Sequence, residues 1–244
     1  MPRVGRIVVP GARHHITQRG NNREDVFFVE DDRQVYLELL RAQGERFGFR
    51  LEAYCLMTNH VHLVGVPAAE DALAKAIGRC HFLYTQYINR THGRSGHLWQ
   101  NRFYSCALDE GHAVNAVAYV ELNPVRARMV KDAWDYPWSS AAVHCGKAAH
   151  SPYLDLTVWR QAFSAKDWRM TLSNILQDAP ICDALRRSTH TGRPLGSDAF
   201  ISKVEHALGR RIRALPIGRP KGWRKRKRQD TANSQQGREE RGDK

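Results

Sequence analysis

The run Leu51-Glu-Ala-Tyr-Cys-Leu-Met-Thr-Asn-His-Val-His-Leu-Val-Gly-Val66 constrains the fold more than any other stretch, because two β-forming segments flank a Thr58-Asn59 pair suited to a tight hairpin. Strand periodicity then sends His60 and His62 to one face. Two neutral imidazoles so placed can hold one divalent cation at about 2.1 Å each, leaving its other positions for further ligands and a substrate. A hydrogen-bonded or solvated pair on a polar face is the competing reading, and the spacing alone does not choose between them.

Elements on both sides extend the hairpin. Residues 14–19 read as a first strand ended by Gly20-Asn21-Asn22. A helix is expected from about residue 31, with Val35, Tyr36, Leu37, Leu39 and Leu40 on its apolar side and Gly44 and Gly48 closing it. Strands over 51–57 and 60–66 follow, then a helix over 71–89, a strand over 98–108, and a helix over 111–123 that stops at Pro124. The order strand, helix, strand, strand, helix, strand predicts an α+β protein with a ferredoxin-like, RRM-like antiparallel sheet and helices on one face.

Three parts are expected along the chain: a principal domain over 1–145, a small helical region over 146–209, and a basic tail over 210–244 that is disordered without a partner. In the middle part Trp159, Phe163, Trp168, Leu172 and Ile175 form an apolar set, and Ser197 and Gly209 bracket a last helix. The loop 191–196 between two helices fits either a helix-turn-helix or a plain helical hairpin.

The formal charge of +13 points to a polyanionic partner. Thirteen Lys/Arg against four Asp/Glu lie between Arg210 and Lys244, so the tail holds most of it. Five scattered cysteines without a Cys-x-x-Cys pair argue against a zinc ribbon or a disulfide framework. With no signal-like start and no long apolar run, the expectation is a soluble, cytoplasmic, nucleoid-associated protein without membrane partners.

Tyr119 and Asn123 lie four apart on the third helix and share a face. A tyrosine phenol can attack a phosphodiester and hold the broken strand covalently, provided something polarises the phosphate. A cation at His60 and His62 could do so as a Lewis acid, and the Asn123 amide oxygen could complete its protein ligands. The plainer alternatives are an ordinary half-buried tyrosine and an asparagine that ends a helix.

The segments His15-Ile-Thr-Gln-Arg-Gly-Asn-Asn-Arg23, Met57-Thr-Asn-His-Val-His-Leu63, Leu98-Trp-Gln-Asn-Arg-Phe103 and Ala118-Tyr-Val-Glu-Leu-Asn-Pro-Val-Arg126 resemble the single-tyrosine HUH transposases, in particular the REP-associated branch. The resemblance covers about residues 1 to 145. It implies metal-dependent cutting and rejoining of single-stranded DNA beside hairpin-forming, REP-like repeats through a 5′-phosphotyrosine link. Tyr119 would be the nucleophile, His60 and His62 the metal ligands, Asn123 the third ligand, and Mg2+ or Mn2+ the cofactor. The family often has proline where this chain has Thr58, which bears on loop stiffness rather than on ligation. The resemblance favours a monomer and leaves a dimer open.

Arg19, Asn21, Asn22 and Arg23 form a polar loop suited to reading a short single strand. Trp99, Arg102 and Phe103 could stack or clamp bases, with core packing an equal reading for the two aromatics. In the tail, Arg219, Lys221, Arg224, Lys225 and Arg226 belong to a Gly-Arg-Pro segment and basic run that resemble AT-hook peptides and could hold phosphates. Two other classes remain: a zinc hydrolase, disfavoured because Val64 stands where a His-x-His-x-Asp pattern needs an acid, and a noncatalytic nucleic-acid-binding module that makes no use of Tyr119.

Overall fold

The computed structural model describes residues 6–175 and 179–213. Its centre is a four-stranded antiparallel sheet of β1 (His14–Arg19), β2 (Phe49–Leu56), β3 (His60–Pro67) and β4 (Tyr104–Ala107), in the order β2-β3-β1-β4. Helix α1 (Glu30–Phe47) joins β1 to β2 and α2 (Ala72–Thr91) leads from β3 towards β4, which is the ferredoxin-like arrangement.

Local chemistry sets these bounds. Glu30, Asp31 and Asp32 open α1 where the helix dipole is positive, and the Asp32 carboxylate accepts from the backbone N–H of Phe28 and Val29 at 2.7 and 3.0 Å. Gly48, at φ 71°, closes the helix, whereas Gly44 stays inside it. In β3, a side chain at Gly65 would meet the Arg50 carbonyl at 2.4 Å and the Phe49 ring at 2.5 Å, so only glycine fits under β2 there.

Both faces of the sheet are covered. Helices α1 and α2 bury Tyr36, Leu37, Leu40, Leu73 and Ile77 against Ile16, Leu56 and Leu63. The chain continues through α3 (Glu110–Glu121), α4 (Asn123–Arg126), α5 (Ala141–His144), α6 (Thr157–Ala162), α7 (Ala165–Ile175) and α8 (Ala179–Thr191), and on the opposite face α3, α7 and α8 bring Val117, Trp168, Leu172 and Leu185 over Cys55, Val64 and Cys106. The expected single helical face therefore describes α1 and α2 and omits this second layer. Double coverage also explains why β2 and β3 are buried along nearly their whole length instead of at alternate residues.

Two boundaries differ from the sequence expectation. The strand expected over 98–108 is ordered as strand only at Tyr104–Ala107, with a single bridge between Gly20 and Trp99 before it. Leu98 and Phe103 both enter the α1/α2 core, and residues an odd number apart cannot share a face of a straight strand, so the chain bends between them. Pro124 does not end the helical path. Helix α3 closes at Glu121, and Asn123–Arg126 forms a further short turn, α4, with the proline in its first positions, where no amide proton is needed.

Helix α8, which precedes the loop 191–196, packs against β4 and β1. Ser197 caps α9 (Asp198–Leu208) by accepting from the Phe200 amide at 3.3 Å, and Gly209 ends it at φ 59°, both as expected. Residues 138–140 run along the edge of β2, where Leu56 N–H donates to the Trp138 carbonyl at 2.9 Å. A buried carboxylate ties the second layer together: Glu121 accepts from Ser140 Oγ at 2.5 Å and Trp168 Nε1 at 2.7 Å, and pairs with His144 Nδ1 at 2.5 Å. Among the described residues no helix is long and apolar enough to cross a membrane. All five cysteines are buried and unpaired.

Candidate active site between the sheet and the third helix

Strand register aligns the side chains that matter. His62 lies opposite Thr17 on β1 and Cys55 on β2, Arg19 lies opposite His60, and Tyr104 on β4 lies opposite Thr17. Residues paired in this way share a face, and it is the face covered by α3. Tyr119 on α3 comes down on the paired histidines, its ring centroid 5.6 Å from that of His62. Tyr119 and the two histidines border one cavity.

The imidazoles are held by their Nδ1 atoms. Asn59 Oδ1, which can only accept, lies 2.7 Å from His60 Nδ1, while Asn59 Nδ2 donates to the Arg23 carbonyl at 2.9 Å. Nδ1 of His60 is thus the protonated nitrogen, and in the neutral ring Nε2 keeps its lone pair. His62 Nδ1 lies 3.0 Å from His15 Nε2, and His15 Nδ1 lies 2.7 Å from Thr189 Oγ1 on α8. Burial, and for His60 also the Arg19 charge, lowers the pKa of His60 to about 4 and that of His62 well below its ordinary value, so both rings are uncharged at neutral pH.

This donor set fits a divalent cation. Two imidazoles bound about 2.1 Å from one ion at a roughly tetrahedral or octahedral angle have ring centroids about 5 Å apart, and those of His60 and His62 are 5.0 Å apart, at an interplanar angle of 83°. Among the described residues no three His, Cys, Asp or Glu side chains group for a metal, so any further protein ligand must be of another type. Asn123 lines the same cavity. Its amide nitrogen donates to the Tyr119 and Val120 carbonyls at 3.2 and 3.1 Å, and its Oδ1 accepts from Arg126 Nη2 at 3.1 Å.

Tyr119 is 4% exposed and is bracketed by two arginines. The Arg126 guanidinium lies 4.2 Å from its ring centroid, and Arg186 Nε donates to its phenolic oxygen at 3.2 Å. Hydrogen bonding to Tyr119 raises the Arg186 pKa, whereas burial lowers that of Arg126. The surrounding cavity of about 470 Å3 contains Arg19, His60, His62, Tyr119, Asn123 and Arg186 and no carboxylate. Such a lining suits a phosphodiester.

Other expected contacts are placed elsewhere. Asn21, Asn22 and Arg23 form a short 3-10 turn that props the β2-β3 hairpin and does not line the cavity. Trp99 is half-buried against His81, its ring centroid 4.5 Å away, and gives its indole N–H to the His81 carbonyl at 3.3 Å. This is core packing. Phe103 is buried as well, while Arg102 is exposed beside a neighbouring cavity. Arg219, Lys221, Arg224, Lys225 and Arg226 lie outside the described residues. His14 and His15 are buried, because β1 is a central strand covered on both faces. Sequence reasoning did not assign His15, Arg126, Arg186 or Thr189 to the site.

With this geometry in view, comparison with known proteins is decisive for the central segment. Residues 8–123 match the family model described as "Transposase IS200 like". Over this segment, just under half of its length, the chain is similar to IS200-like transposases. A Haemophilus influenzae protein that carries the name REP-associated tyrosine transposase is 28% identical over 124 residues, which make up 46% of this chain and 68% of that protein. A solved structure described as a REP-associated tyrosine transposase bound to a REP hairpin is similar to this chain with a TM-score of 0.49 and 19% identity, covering 68% of this chain and 96% of that one. The transposase segment ends at Asn123, so Arg126, Arg186 and Thr189 reach the site from beyond it.

Proposed function

We propose that this transposase cuts and rejoins single-stranded DNA beside hairpin-forming repeats, with Tyr119 as nucleophile and a divalent cation, Mg2+ or Mn2+, held by His60, His62 and Asn123. The observation that carries the reading is the meeting of a guanidinium-bound phenol with two Nδ1-anchored imidazoles in one cavity that has no carboxylate. REP-like hairpins are taken as the substrate because the Haemophilus influenzae relative is named for them.

The chemistry follows from the groups present. The Tyr119 oxygen attacks phosphorus, the bond from phosphorus to the 3′ oxygen breaks, the phenol proton is lost to solvent, and the departing 3′ oxygen takes up a proton. The 5′ end stays on Tyr119 until another 3′ hydroxyl attacks and reverses these steps. When bound, the cation would supply Lewis-acid polarisation of the scissile phosphate. Arg186 Nε–H holds the phenolic oxygen in place, and Arg126 fixes the ring from the other side. If His62 Nδ1–H donates to His15 and His15 Nδ1–H to Thr189, the chain of contacts keeps the His62 Nε2 lone pair directed outward.

The direct test incubates the full chain with a single-stranded hairpin oligonucleotide and Mn2+ and follows a covalent adduct on a denaturing gel. Tyr119→Phe should abolish the adduct and leave hairpin binding within about twofold, because only the nucleophilic oxygen is removed. An adduct that persists in the variant would refute the assignment. Absence of any adduct from the intact protein across hairpins drawn from its own gene flanks would instead favour a noncatalytic binding module.

A further inference from the structure

A second cavity, of about 410 Å3, adjoins the one at Tyr119 and shares Asn101, Tyr104, Thr189 and His190 with it as a common wall. Its volume lies within the roughly 300–1,000 Å3 of ordinary ligand sites. Arg6 and Arg102 line it, and no carboxylate does. The Arg6 guanidinium lies 3.6 Å over the Phe103 ring and donates to the Phe103 carbonyl at 3.0 Å, which fixes its position. Burial and the neighbouring Arg102 lower its pKa to about 10.

Two guanidiniums lining one cavity, with no carboxylate among its described lining residues, offer an anion charge-assisted donors. The common wall adds a flat surface. Tyr104, 37% exposed, stacks on His190 with ring centroids 4.9 Å apart and an interplanar angle of 14°. Tyr104 also lies in the same cross-strand row as Thr17 and His62, so a strand lying along that row passes from the histidines to this wall.

We propose that this second cavity is a phosphate subsite for the single strand that continues from the scissile phosphate. Arg6 and Arg102 clamp one phosphodiester of that flank, and the Tyr104 and His190 rings support an adjacent base. The proposal rests on the strand-cutting function above and extends it to a site for unpaired flanking DNA. Its anion is a diester in a chain rather than a free phosphate, because the cavity opens onto the first along a shared wall.

Binding of labelled hairpins separates the two ideas. The Tyr119→Phe chain, which cannot turn over, is titrated with hairpins whose single-stranded flank grows one nucleotide at a time on either side, at several salt concentrations. Affinity should step up about tenfold at the flank length that reaches the cavity. Arg6→Ala or Arg102→Gln, each in the same background, should remove the step and reduce the salt slope by about 0.7 for the lost single-strand phosphate. Arg102 is exposed, so its variant keeps the test valid should Arg6→Ala fail to fold. An equal step in the parent and Arg102→Gln chains, or no step in the parent, would overturn the subsite. Inorganic phosphate or a mononucleotide that binds as tightly as the flanked hairpin would assign the cavity to a free anion and also overturn it. Failure of the adduct assay with the step intact would sink the cutting reaction and leave this subsite standing.

Discussion

On the face of the sheet covered by α1 and α2, Tyr84 gives its hydroxyl proton to the Val26 carbonyl at 2.7 Å, and burial pushes its pKa far up. On the face covered by α3, Tyr119 is as deeply enclosed, yet its oxygen receives a proton bond from Arg186 and its ring sits against Arg126. Histidines divide in the same way. His81, on the first face, meets the Tyr36 hydroxyl at 3.0 Å and stacks on Trp99, whereas His60 and His62 have their Nδ1 atoms engaged and border a cavity. Residue type and burial therefore do not separate a packing tyrosine or histidine from one at the candidate site; the direction of its hydrogen bonds and the charge of its partners do.

The largest expected effect tests whether the reactive face depends on its buried framework. Glu121 sits between Tyr119 and Asn123 in sequence and points away from them, into Ser140, His144 and Trp168. Glu121→Ala should cost about 3–5 kcal/mol of unfolding free energy by leaving buried donors unpaired. Urea denaturation measures this, and a loss below about 1 kcal/mol would mean that the second layer is not held through this carboxylate.

Next comes Arg186. Arg186→Ala removes one charge-assisted donor from the phenolic oxygen, and the adduct should form about 100-fold more slowly, as when an oxyanion donor is deleted. Arg186→Lys should recover part of the rate. Its side chain is exposed, so the thermal midpoint should move by no more than a degree or two. An unchanged adduct rate would remove the main physical distinction between Tyr119 and Tyr84.

How much of this was legible beforehand depends on range. The hairpin, the His60 and His62 pair, and the pairing of Tyr119 with Asn123 follow from periods of two and of about four residues, so sequence alone carried them. The ferredoxin-like order followed from alternating element types. What local periodicity could not carry was long-range contact: Thr189 reaches His15 across 174 positions, and Arg186 reaches Tyr119 across 67. An amphipathic pattern identifies α8 as a helix but not which sheet face receives it. Trp99 shows the same limit, since base stacking and core packing were equal readings until the indole was placed against His81.

A pH experiment sharpens the histidine half of the comparison. His14 and His81, away from the histidine pair, have pKa values lowered to about 4 and about 3 by burial. Below about pH 6.5 the unfolded chain takes up protons at these rings that the folded chain refuses, so stability is full above that pH and falls as pH drops towards 4. His81→Gln should make the decline of the denaturation midpoint between pH 7 and 4.5 shallower than in the parent. Parallel curves for the two proteins would show that His81 titrates in the fold as it does in the open chain.

The smallest effect is expected from Tyr84→Phe. This variant loses a single hydroxyl bond to the Val26 carbonyl, for a cost of about 1–2 kcal/mol including the acceptor left unpaired. Val26 N–H is bonded to the Thr58 carbonyl at 3.0 Å, so the lost bond lies next to the hairpin that presents His60. If that turn is held mainly by β2 and β3, adduct formation in Tyr84→Phe should stay within about twofold of the parent while the urea midpoint falls. A rate loss approaching that of Arg186→Ala would mean that the first face positions the histidines directly, and the division between a packing face and a reacting face would have to be redrawn along the Val26 to Thr58 contact.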